Sequence, residues 1–154
     1  MSTAVSPESQ SRSGGRIGRR TARRRAVELL YEATQRELDP AAVLQEHAGS
    51  PGVEIVGDYT FTVVEGVSAH QERVDELLAE HAQGWTLERM PPVDLAILRV
   101  GIYEMLWSAD VPDAVAIDEA VGLAKELSTD DSPRFVNGVL GRIGNIADRL
   151  RAVL

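Results

Sequence analysis

The sequence predicts an all-α fold of six to seven helices, and three observations carry the prediction. Apolar residues recur at intervals of three and four along nearly the whole chain. No stretch alternates apolar and polar residues between hairpin turns, as a strand would. Residues 93–107 are apolar almost all round, the mark of a helix at the centre of a bundle.

The elements follow in order. Residues 1–15 (MSTAVSPESQSRSGG) are rich in Ser and Gly and nearly free of large apolar side chains, so a disordered tail is expected there and a folded domain over 16–154. From about Arg16 the pattern turns helical, with Ala22, Ala26, Leu29, Leu30 and Ala33 on one stripe. Asp39-Pro40 ends that helix and opens a short one through Val43 and Leu44, Pro40 standing in its first turn. Gly49-Ser50-Pro51-Gly52 is a loop. Val56, Tyr59, Val63 and Val67 share the next helical face. Gly66 and Ser68 suggest a break, and Ser68 with Gln71 has capping-box spacing for a further helix that Gly84 closes. The apolar helix over 93–107 ends at the turn Asp110-Val111-Pro112. Ile117, Ala120, Val121, Ala124 and Leu127 define another helix. The polar linker STDDS over 128–132 then leads to Ser132-Pro133, read as N-cap and first helical residue. A last helix packs Val136, Leu140, Ile143, Ala147 and Leu150.

At 154 residues the chain is one domain, or two small bundles sharing a core. It has no cysteine, which excludes disulfides, thiolate metal sites and cysteine nucleophiles and suits a cytoplasmic protein. No apolar run is long enough to span a membrane. The net charge of −8 hides a segregation. Residues 1–25 hold seven Arg against Glu8, and the remainder holds nine basic and 23 acidic residues. A basic arm on an acidic body is a nucleic-acid pattern, and arginine is the side chain that forks onto phosphate and stacks on bases.

Signals for catalysis are weak, and the chain reads as a non-enzyme. His47, His70 and His81 lack metal-ligand spacing, no phosphate-binding P-loop exists, and the only lysine is Lys125. No cofactor and no metal are expected. Gly138, Gly141 and Gly144 are read as points of close helix approach. On a helical projection Arg16, Arg19, Arg20, Arg23 and Arg24 fall on one wide flank. Arg20, Arg24, Val27 and Tyr31 form a line that changes from cationic to aromatic. Its Tyr31 end either meets a partner protein or joins the core. A second candidate is Asp131, Ser132, Arg134 and Phe135. There a helix N-terminus offers N–H groups to phosphate and Phe135 either stacks a base or plugs the core.

Two stretches resemble the NusB transcription-antitermination family. One runs GWTLERM through VDLAILRV to Tyr103-Glu104, and the other is VPDAVAIDEAVGLAKELSTDDSPRFVNGVL over 111–140. With the Arg-rich helix ending in Leu30-Tyr31, the resemblance covers about residues 19–150. It implies two packed three-helix bundles. It also implies binding to boxA-type single-stranded RNA of rRNA leader transcripts jointly with NusE, a small-subunit ribosomal protein, within the RNA polymerase antitermination complex. The RNA-side residues would be Arg19, Arg20, Arg23 and Arg24, with Asp131, Ser132, Arg134 and Phe135; Thr21 stands where the family can carry Arg. Tyr31, Glu88 and Asp94 would face NusE, the acids suiting a basic ribosomal protein. The alternative is a homodimeric interaction module whose basic arm is autoinhibited at a self-interface.

Overall fold

The computed structural model describes residues 7–49 and 56–154, with side chains from Gly18 onward. Among the described residues there are seven α-helices and no strand. Helices α1 (Pro7–Gln35), α2 (Pro40–Gly49) and α3 (Asp58–His81) pack on one another as a first bundle. A short 3-10 turn, Leu87–Arg89, leads into α4 (Pro92–Trp107), which packs with α5 (Asp113–Leu127) and α6 (Ser132–Gly144) as a second. Helix α4 also packs on α1 and α3, so it joins the two bundles, and α7 (Ala147–Ala152) folds back onto it.

The all-round apolar pattern of α4 has its expected consequence: every residue from Leu95 to Leu106, and Asp94 before them, is buried. Two glycines make that density attainable. A Cβ on Gly66 would stand 2.1 Å from the Tyr103 ring, and one on Gly101 would stand 2.8 Å from a Leu140 methyl. These are the close approaches in the fold. Gly141 has open space beside it and Gly138 meets only the end of Arg142, so of the three glycines expected in that role only Gly144 touches another helix, through Ile117.

Three boundaries differ from the sequence reading. Helix α1 begins at Pro7 rather than near Arg16, and residues 1–6 of the expected tail lie outside the described residues. Proline is tolerated in a first turn, and a helix once nucleated propagates at one hydrogen bond per residue added. Helix α3 is continuous through Gly66 and Ser68. The Ser68 hydroxyl donates to Asp39 and caps no helix, while Gly66 is retained for the Tyr103 ring. The last helix instead breaks at Asn145-Ile146. Gly144 and Asn145 are poor helix formers, and the turn lets Ala147 enter the core and Arg151 reach the Met105 carbonyl at 3.0 Å.

Gly66→Ala is expected to destabilise the protein by about 1–3 kcal/mol through overpacking against Tyr103. Gly141→Ala, into open space, should be neutral or stabilising. Chemical unfolding of both variants checks the contrast.

Candidate nucleic-acid interface

The arginines of α1 divide by the direction each faces. Arg23 does not lie on an exposed ridge; its side chain is 5% exposed. Its Nε stands 2.9 Å from both carboxylate oxygens of Glu104, itself fully buried on α4. Tyr59 of α3 donates its hydroxyl to the same carboxylate. Burial, with Glu104 adding to it, pushes that hydroxyl well above the usual tyrosine range. Arg23 therefore ties α1 to α3 and α4 and is withdrawn from the RNA-side set. The physical reason is tertiary: Arg23 borders the core residues Ala26 and Val27, and the fold sets the buried Glu104 of α4 against it.

Arg19, Arg20 and Arg24 face outward. Arg20 has a side chain 71% exposed and Arg24 one 48% exposed. Arg19 lies over the Tyr59 ring with its guanidinium carbon 4.5 Å from the ring centre, an arrangement that fixes the group in place. Each reaches an acid of the second bundle. Arg19 donates to Asp110 at 2.7 Å, Arg20 to Glu119 at 3.4 Å, and Arg24 to Glu126. The Arg19 hydrogen bond holds the Asp110 carboxyl below the usual carboxylate range. The Arg16 side chain lies outside the described residues.

The second candidate is also divided. Ser132 is buried, and its hydroxyl donates to Asp94 at 2.9 Å; Ser128 donates to the other oxygen of the same carboxylate. Two expected roles change together. Asp94 is buried and organises the entry to α6, so it presents nothing to a partner, and Ser132 is turned inward, away from RNA. Asp131, rather than the expected Ser132, stands at the N-cap of α6, with no side-chain cap, and Ser132 is the first helical residue. The Ser132 and Phe135 N–H groups already bond the Thr129 and Asp131 carbonyls, and Pro133 has none, so this helix end offers phosphate few donors. What stays exposed is Asp131 and Arg134, with Phe135 half-buried against the core and tilted at 56° against Trp85, 5.8 Å away. Trp85 is 48% exposed. Of the partner-facing set, Tyr31 and Glu88 are exposed.

A profile of the NusB family matches residues 20–145. The chain belongs to the NusB family. A relative in Saccharopolyspora erythraea, named transcription antitermination protein NusB, is 64% identical over 137 residues, covering 88% of this chain and 93% of its own. NusB of T. maritima has the same fold, with a TM-score of 0.74 at 29% identity over 88% of this chain and 97% of that one. A further structure, of antitermination factors NusB and NusE in complex with double-stranded RNA, matches with a TM-score of 0.71 at 24% identity, covering 82% of this chain and 96% of that one; at that identity the likeness is one of fold.

In this member of the NusB family, projection of the arginines onto a helix could not separate Arg23 from its neighbours, because the acid that buries it is distant in sequence. Nothing in the sequence set Asp110, Glu119 and Glu126 opposite the arginines, although the seven-residue spacing of Glu119 and Glu126 marks one helical face. Trp85 was visible only as part of a motif, and nothing in the sequence set it beside Phe135. Arg23→Ala should lower stability by about 3–5 kcal/mol, since it leaves Glu104 buried without its counter-ion. Arg20→Ala should leave stability nearly unchanged. Denaturant midpoints test the pair, and equal small effects would contradict a buried ion pair at Arg23.

Proposed function

We propose that this protein is a transcription antitermination factor that binds boxA-type single-stranded RNA jointly with NusE and promotes processive elongation. It works by binding, as an adaptor in the cytoplasm, with no chemical step of its own. The observation that carries the reading is the outward line Arg19, Arg20 and Arg24 on an otherwise acidic body, in a chain of the NusB family. A polyanion is drawn to that one region and repelled elsewhere. Phosphate contacts there set position, while the Phe135–Trp85 edge, with Arg134 beside it in sequence, offers an aromatic face to a splayed base. Tyr31 and Glu88 are the NusE-facing residues, and Asp94 drops out of that set because it is buried.

Titration of a boxA-type RNA across salt, with and without NusE, tests this. Three guanidinium groups on a single strand should give a log–log slope no steeper than about −2, and NusE should tighten binding. Replacing Arg19, Arg20 and Arg24 together by Ala should flatten the slope towards zero; a slope that does not change removes the arm from the interface. Tyr31→Ala should weaken NusE binding roughly tenfold, as loss of an interface aromatic does, and leave binding of RNA alone intact. An isothermal titration of each ligand separately distinguishes the two surfaces.

A further inference from the structure

The guanidinium groups offered to RNA are already occupied. Arg19 is held by Asp110 at 2.7 Å, Arg20 by Glu119 at 3.4 Å, and Arg24 by Glu126. All three acids come from one place, the turn before α5 and the face of α5 on which Glu119 and Glu126 stand two turns apart. Helices α1 and α5 both pack on α4, and these long side chains reach from one to the other. The pairs run in register, Asp110 with the earlier arginine and Glu126 with the later. We infer that Asp110, Glu119 and Glu126 are an internal counter-strip that occupies the RNA-phosphate positions of α1 and sets the affinity an RNA must exceed to bind.

The energetics suit a competitor. Exposed ion pairs are weak and salt-screened, so each is formed in the free protein yet open to displacement by phosphate. Glu119 has some structural share, because its carboxylate also stands 3.9 Å from the buried Arg23. Asp110 and Glu126 bond no buried cation, and their side chains are 64% and 45% exposed. A ligand bringing charge alone must break three pairs and then lie beside three freed carboxylates. A ligand that also stacks a base or arrives with a partner protein has a second source of affinity to offset this. The strip therefore lowers the affinity of every RNA alike and leaves bound only those with that second source. Opening each pair also leaves a carboxylate that recruits a cation, which offsets part of the counter-ion release from RNA and shallows the salt slope.

This inference rests on the RNA reading, and the experiment separates the two. The full chain carrying D110N, E119Q and E126Q is titrated against a boxA-type RNA and an unrelated single-stranded RNA of equal length. Binding should tighten on the order of tenfold for both, with a steeper salt slope than the unaltered protein shows. D110N with E126Q, which leaves the Arg23 site untouched, should show part of the gain and decides the matter if E119Q disturbs folding. D118N removes a charge from the same helix at an exposed residue with no ion pair among those described, and should stay within about twofold of the unaltered protein. Unchanged affinity and slope in the triple variant, while arginine replacement still abolishes binding, would overturn the counter-strip and spare the RNA reading. An equal gain from D118N would overturn it in favour of net charge. Failure of every form to bind RNA, with NusE present, would overturn both.

Discussion

The fold depends on a helix, α4, buried from Asp94 to Leu106 that nevertheless carries three charged residues. Each must be satisfied internally, because an unpaired charge in such a place is strongly destabilising. On α4 the three point to different neighbours. Asp94 accepts from Ser128 and Ser132 at the entrance to α6. Arg99 forks onto Asp75 of α3, with both nitrogens 3.0 Å from its oxygens, and touches Thr34 of α1 at 3.3 Å. Glu104 takes Arg23 of α1 and Tyr59 of α3. The apolar face supplies the driving force, and the charges specify the rotation at which the bundles meet.

That arrangement explains why a single arginine run holds both a buried anchor and an outward cationic line. Arg23 cannot leave Glu104 without stranding it, so α1 is pinned to the body at the middle of its basic stretch. Pinning there fixes the aim of Arg19, Arg20 and Arg24 around it, and Tyr59 braces the first of them from beneath. A flexible basic tail would lose side-chain and backbone freedom on meeting RNA; a helix anchored at its centre has lost much of it already. The same geometry brings the arginines within reach of α5, so positioning the proposed RNA contacts and pairing them with acids are consequences of one packing choice.

Most of the fold was legible in the sequence, and the reason is visible element by element. The helix from Pro92 to Trp107 betrays itself by having no polar face, and Pro40, Gly84 and Pro112 punctuate the chain where backbone chemistry requires. Gly84 indeed adopts φ of 87°, which favours glycine. The departures lie at Pro7, at Gly66 and Ser68, and at Asn145, and at Gly66 and Ser68 a local signal has a tertiary use. Gly66 resembles a breaker until the Tyr103 ring is seen lying on it. Ser68 resembles a cap until its hydroxyl is found on Asp39.

The candidate site was half legible for the same reason. Residue type, spacing and charge segregation determined that the first helix is basic, that a helical bundle follows and that an aromatic stands beside Arg134, because these depend only on local chemistry and periodicity. Which arginine is core and which is surface, that Asp94 and Ser132 turn inward, and that three acids lie opposite the basic line were settled by contacts between residues 38 to 102 positions apart. A charged side chain near the edge of an apolar stripe faces inward or outward according to whether the fold brings it a counter-ion, and only packing of the two bundles supplies one.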